Sequence, residues 1–367
     1  MKLWPSSPAG GSKEAVLPSW MPLRVVSRAM CCSVGYTAPA ASAAINARLN
    51  HFRETQFVSR GSARIIGGAL FEVETWGAER LSYMLQSVVA EALAEHIAVN
   101  TAQIAILAIG AEPQRPGRPS SCLADALAGI LDEARQQGKE FHARTQFCDY
   151  GKAGIGKALD LASLLLDTDD GPEYVLLAAV DSLLDAGAIE RFLDEERIAT
   201  ESNADGFIPA EGAGAVLLAK SAVATPSLWI EGVATAQEDW RLDSDTPLRA
   251  QGLTAAIRGA AQAANCEIAS LDFHASGMTG ESWYAKEVGL ALARCMERKK
   301  PEFPHLMVAR SVGETGAASP LLTLAWLAGL MAHPTNPGSA GLLHFAGDDG
   351  QRTALIVRYG APAQVTG

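Results

Sequence analysis

The feature that most constrains this chain is a regular alternation of short apolar runs with helical patterns. Residues 103–109 and 174–180 have the length and composition of buried strands, and 155–166 has the apolar spacing of a helix. A second series of similar order starts after 221–226, beginning with a strand predicted at 228–234. Such alternation predicts mostly parallel sheets covered by helices, so the fold class is α/β.

The two series predict two related halves of mixed sheet. A chain of 367 residues exceeds the usual size of one domain. We predict a loose leader at 1–21, rich in Pro, Ser and Gly, an N-terminal half at 22–222 and a C-terminal half at 223–367. The halves show no visible sequence repeat, so the duplication is inferred from the order of elements alone.

Charge and composition exclude several classes of protein. A net charge of −11 and a pI near 5.2 argue against binding to nucleic acid or to anionic membranes. The sequence has no apolar run of the roughly 20 residues that span a bilayer, and its start lacks a secretory signal pattern. The six cysteines have no metal-site spacing, and there is no GxGxxG nucleotide fingerprint. We therefore expect a cytoplasmic protein with reduced thiols, without membrane insertion, metal or bound cofactor.

Four stretches, in this order, carry a resemblance to a known family. They are 147–158, with Cys148 seven residues before Ile155; 178–181 with the Gly-rich 204–214; His274-Ala-Ser-Gly-Met-Thr-Gly; and 309–318. Together they resemble the β-ketoacyl synthases of the thiolase superfamily, over roughly 22–362. The resemblance implies a thiolase-type layered fold (αβαβα) and an acyltransferase role of the 3-oxoacyl-ACP synthase type in fatty acid or polyketide biosynthesis. It also implies a homodimer, or a heterodimer with a related ketosynthase, joined through the central sheet. An acyl carrier protein or a CoA thioester would carry the substrate.

The same resemblance implies three catalytic residues: Cys148, His274 and Glu314. Cys148 takes the position of the nucleophile, where a helix N-terminus would lower the pKa of the thiol. His274 would donate a hydrogen bond to the thioester or enolate oxygen. Glu314 stands where the family has a second histidine, and Ala309 where it has a lysine.

These departures put decarboxylative condensation in doubt. An ionised Glu314 would repel the developing enolate, and losing one donor to such a charge costs about 3–4 kcal/mol. The acids at 348 and 349, in the segment 347–350 that replaces the family's Gly-Phe-Gly-Gly, add negative charge near the expected mouth. Glu314 could instead simply cap a helix that starts near Thr315.

Two functions therefore remain open. One is a condensation-inactive binding or partner subunit, similar to a chain-length factor or to an adaptor associated with secretion effectors. The other is an active acyl-thioester condensing enzyme or acyltransferase with a Cys-His-Glu site, in which Glu314 moves a proton. Convergence of Cys148, His274 and Glu314 around an open tunnel would favour the enzyme, and a Cys148 that points into the core would favour the binding protein.

Overall fold

The computed structural model describes residues 20–94, 99–117, 122–220, 225–242, 244 and 247–361. The strands are β1 (Leu23–Cys32), β2 (Arg53–Val58), β3 (Arg64–Gly67), β4 (Ile104–Ile109), β5 (Gln146–Cys148), β6 (Tyr174–Ser182), β7 (Glu211–Ala219), β8 (Ser227–Gln237), β9 (Phe273–Ser276), β10 (His305–Leu306), β11 (Ala340–Ala346) and β12 (Gln351–Gly360). The α-helices are α1 (Ala38–Asn46), α2 (Gly77–Ala94), α3 (Cys122–Gln136), α4 (Ile155–Asp167), α5 (Ala186–Asp194), α6 (Gln251–Ala263), α7 (Ser282–Cys295), α8 (Ala309–Val312) and α9 (Ser319–Leu330).

Ten of these strands form one mixed sheet whose order reveals two equivalent halves. The order is β10-β9-β11-β12-β8-β1-β7-β6-β4-β5. From the centre outwards, the N-terminal half contributes β1, β7, β6, β4 and β5, which are its first, fifth, fourth, second and third sheet strands along the chain. The C-terminal half has the same order in β8, β12, β11, β9 and β10. In each half the first two pairings are antiparallel and the last two are parallel. The prediction of two related mixed-sheet halves is thus confirmed, and the topology carries the evidence of duplication that the sequence lacks.

The halves stack face to face around two buried helices. The sheets join where Leu23 and Arg24 of β1 pair with β8. Helix α4 packs on β4 and β6 of one half and on β8 and β12 of the other, and α9 likewise contacts β1, β7, β8 and β9. Because α9 is apolar on every side, its stable position is between layers and not on a surface. Helices α2 and α6 cover the outer faces, which completes the αβαβα layering.

Glycine lets α4 approach the second sheet closely. A Cβ at Gly156, in the first turn of α4, would lie 2.4 Å from Thr235 Cγ2 and 2.9 Å from Thr353 Oγ1. A side chain at this position would require Thr235 of β8 and Thr353 of β12 to shift. This contact fixes the distance between the start of α4 and the C-terminal half, and it therefore sets the position of the loop that precedes α4.

Several local predictions need correction. The sequence patterns do not predict the β2–β3 hairpin, α5 or β11. Residues 141–147 have a strand-like pattern, but β5 starts only at Gln146. Residues 1–19 of the predicted leader lie outside the described residues, as do 221–224 at the predicted boundary between halves. Trp20, near the end of the leader, donates its indole N–H to the Ile230 carbonyl at 3.3 Å. Among the described residues, none of the helices is long and apolar enough to cross a membrane.

Candidate active site

A cleft of about 820 Å³, including the solvent at its mouth, opens where loops of both halves meet. Its walls come from the β5–α4 loop, the segment after β9, the β11–β12 turn and the segment before α9. Representative lining residues are Tyr150, Lys152, Gly277, Glu314, His344 and Asp348. Loops at the ends of strands in an α/β sheet are the usual place for a functional site. This cleft is therefore the candidate site.

Glu314 lies on the cleft wall and uses both of its carboxylate oxygens. One oxygen accepts the N–H of Gly316 at 2.8 Å, at the start of a one-turn helix, so the predicted capping role is present. The other oxygen forms an ion pair with the Lys152 ammonium, whose side chain is 16% exposed. Lys152 also donates to the Gly277 carbonyl at 3.1 Å. A lysine therefore spans the cleft from one half to the other and pairs with Glu314.

Gly316 holds this segment in a conformation that other residues resist. Its φ is +53°, and a Cβ there would lie 2.0 Å from Asp181 Oδ2. Asp181, at the end of β6, accepts the N–H of Ala317 at 2.7 Å and pairs with the Arg115 guanidinium at 2.5 Å. The Asp181 carboxylate thus anchors the turn that presents Glu314.

Cys148 does not line the cleft. It ends β5, is 3% exposed and belongs to the apolar core around α4. Tyr150 packs against the same core, and Tyr150 rather than Cys148 faces the cleft. Burial raises the pKa of the Cys148 thiol. The expectation that a helix N-terminus would lower this pKa is wrong, because α4 begins only at Ile155.

His274 also lies behind the cleft wall. It is buried in β9, and its ring stacks between Phe303 at 5.0 Å and His305 at 4.1 Å between centroids. Its Nδ1 lies 3.2 Å from Nε2 of His344, which does line the cleft. Burial, with a smaller contribution from His305, lowers the pKa of His274 to about 3, so the ring is neutral. Of the three predicted residues, Glu314 alone lines the cleft, and the catalytic roles stay predictions.

The cleft contains an ion cluster around the buried Arg197 that was not predicted from the sequence. Arg197, in the segment after α5, contacts Glu281 at 2.7 Å and Asp348 at 2.7 Å. Arg197 holds the pKa of Asp348 well below its usual range, whereas burial raises that of Glu281. Asp348 also accepts a hydrogen bond from the Tyr284 hydroxyl at 2.6 Å. Asp348, one of the two acids expected near the mouth of the site, does line the cleft, but its charge is paired with that of Arg197.

Comparison with known proteins identifies the fold. No family model and no curated protein sequence matches the chain. Solved structures match nearly all of it at low identity. A chain of the AntDE:AntF complex, a type II PKS acyl-carrier protein with its ketosynthase bound to the hexaketide, has a TM-score of 0.75, 13% identity and coverage of 92% of this chain and 99% of that one. The structure of the ketosynthase ApeO with its chain length factor ApeC from Xenorhabdus doucetiae matches with a TM-score of 0.69 and 11% identity, and the match covers 94% of this chain and 99% of that one. An oxazolomycin ketosynthase domain from Streptomyces albus JA3453 matches with a TM-score of 0.72 and 15% identity, and the match covers 93% of this chain and 75% of that one.

The chain therefore has the thiolase-like fold of the ketosynthases, as the four motifs predict. The solved structures that share this fold include ketosynthases and pairs of a ketosynthase with a chain length factor. At identities of 11–15% the likeness establishes the fold, and the function has to be argued from this chain's own residues.

Proposed function

We propose that the chain is a ketosynthase-fold subunit that does not condense acyl chains and acts by binding a partner. The observation that carries the proposal is the Lys152–Glu314 ion pair across the cleft, combined with a Cys148 that is buried in the core. The first is an ion pair between two side chains that line the candidate cleft. The second removes the predicted nucleophile from that place.

The chemistry of Cys148 supports this proposal. Acyl transfer needs a thiolate that the thioester can reach. The Cys148 side chain is 3% exposed, and burial raises its pKa, so the thiol stays protonated at neutral pH. A core cysteine of this kind behaves as a small apolar side chain.

The charges of the cleft support it as well. Decarboxylation builds negative charge on an enolate, which positively charged or neutral donors stabilise. In this cleft the Lys152 charge is balanced by Glu314, and the Arg197 charge by Glu281 and Asp348. The described residues that line the cleft include three basic side chains, and each of them is paired with a carboxylate. None is therefore left to neutralise an anionic malonyl group.

As the partner we propose a related ketosynthase or a second copy of this chain, joined along β5. This strand forms one edge of the ten-stranded sheet, and edge strands present main-chain groups for pairing with another chain. The printed pairing of ApeO with a chain length factor provides a parallel for the heterodimer. An acyl carrier protein that delivers a thioester to this partner would complete the proposed assembly.

Light scattering during size-exclusion chromatography tests the association. We expect the mass of two chains, and a shift towards one chain for Gln146→Lys, because a lysine on an edge strand opposes pairing with another chain. Gln136→Lys is the matched control, since Gln136 is equally exposed but lies at the end of α3. A chain that stays monomeric alone and with a ketosynthase, or a dimer that is indifferent to Gln146→Lys, would contradict the proposed pairing.

A further inference from the structure

Three histidines come together behind the cleft wall because of strand register. In β9 and β10, His274 lies opposite His305, and in β9 and β11, His274 lies opposite Leu342. Residues that pair across strands share a face, and so do residues two apart along one strand. His344, two residues after Leu342, therefore faces the same side as His274 and His305.

The ring nitrogens are close enough to share one ion. One nitrogen of each histidine lies within 4.8 Å of the other two. The Nδ1 of His274 and the Nε2 of His344 are 3.2 Å apart. Two nitrogens bound to a tetrahedral zinc at about 2.0–2.1 Å each are separated by about 3.3 Å. We propose that His274, His305 and His344 form a binding site for one divalent transition metal of the zinc class.

The donor set selects the class of metal. Three imidazole nitrogens suit zinc, nickel or copper, whereas magnesium and calcium prefer oxygen ligands. The Arg310 charge near His305 opposes a cation, so binding has to come from the three imidazole nitrogens.

Metal binding requires one side chain to turn. The rings of His274 and His305 stack with an angle of 15° between their planes, whereas a ligand nitrogen must point at the ion within its own ring plane. His305 is half-buried and its Nε2 contacts the Ser276 hydroxyl at 2.7 Å. We expect the His305 ring to rotate on binding. Because Ser276 and His344 both line the cleft, the fourth position of the ion would be open to Ser276 or to a water from the cleft.

Metal content and affinity test this site directly. Full-length protein, freed of any purification tag and treated with chelator, is titrated with zinc chloride by calorimetry, and its cobalt form is examined by visible absorption. We expect one zinc per chain, tetrahedral cobalt bands, and an affinity about tenfold or more weaker in His344→Gln and in His305→Gln. His333→Gln, at an exposed position after α9, should leave the affinity unchanged.

The alternative is a stack of hydrogen-bonded histidines without metal. The proposal is overturned if the unsubstituted protein takes up no zinc, or if His333→Gln weakens uptake as much as the cluster variants do. It is also overturned if the cobalt form shows an octahedral spectrum typical of a surface site. Far-UV circular dichroism of each variant establishes that it is folded, and the cobalt spectrum of the unsubstituted protein does not depend on any variant.

Discussion

Replacement of Arg197 by glutamine tests whether the ion cluster of the cleft holds the two halves together. Arg197 belongs to the N-terminal half, whereas Glu281 precedes α7 and Asp348 lies in the β11–β12 turn. The guanidinium also lies over the rings of Phe192 and Phe207, at 5.1 and 5.7 Å. Its removal therefore leaves a buried carboxylate without its cation.

The exposures of the side chains set the expected size of the effect. Arg197 and Glu281 are 10% and 8% exposed, and removing one partner of a buried pair costs about 3–5 kcal/mol. Asp348 is 45% exposed, so its pair adds at most about 1 kcal/mol. Burial already raises the pKa of Glu281, which can take up a proton in the variant. We therefore expect the free energy of unfolding to fall by about 3 kcal/mol, at the lower end of the range.

Urea unfolding followed by circular dichroism measures this loss, with Arg60→Gln as the control. The Arg60–Asp194 pair is 68% and 62% exposed, so its loss should cost at most about 1 kcal/mol. Asp348 has a depressed pKa in the folded state, so its contribution is present above its unfolded pKa of about 3.9 and is lost at lower pH. The difference between Arg197→Gln and the unsubstituted chain should therefore shrink below about pH 4. A midpoint for Arg197→Gln no lower than that for Arg60→Gln would refute the reasoning.

Three further predictions concern the cleft and the core. Lys152→Met leaves the buried Glu314 without its cation and should lower the free energy of unfolding by about 3 kcal/mol. Lys157→Met, at an exposed position of α4, should change it by less than about 0.5 kcal/mol, and equal urea midpoints for the two variants would contradict this. Gly156→Ala should cost about 1–3 kcal/mol by overpacking α4 against the second sheet, and a neutral or stabilising change would show that the layers can separate. Iodoacetamide should alkylate the half-buried Cys266 well before Cys148 in the folded protein, as judged by peptide mass spectrometry, and the reverse order would place a reactive thiol at Cys148.

The sequence predicts the layers well and the short elements poorly. The apolar spacing of Ile155–Asp167 fits a helix, and the short continuous apolar run of Tyr174–Ser182 has the length of a buried strand. Strand β11 escaped prediction because its seven residues follow a loop rich in Pro and Gly and have no clear alternation. Strand β5 is shorter than its strand-like pattern predicts, because only Gln146–Cys148 pair with β4, and local sequence does not encode where that pairing begins.

The sequence predicts only part of the site, as the β5–α4 loop shows. Spacing along the chain placed Cys148 seven residues before Ile155, but it could not show how the intervening residues run. They turn so that Lys152 enters the cleft and Cys148 stays in the core. The position of Glu314 follows from its motif, but its pairing with Lys152 does not. Lys152 lies 162 residues away along the chain, and only the fold brings the two side chains together.

The measurement that tests the central claim most directly is the intact mass of the chain after incubation with acyl-CoA and acyl carrier protein thioesters of several lengths. An active ketosynthase treated in parallel controls for the thioesters. We predict no acyl adduct on this chain and no decarboxylation of a malonyl thioester, whereas the control becomes acylated. An adduct that peptide mapping assigns to Cys148, and that disappears in Cys148→Ala, would contradict a non-condensing subunit.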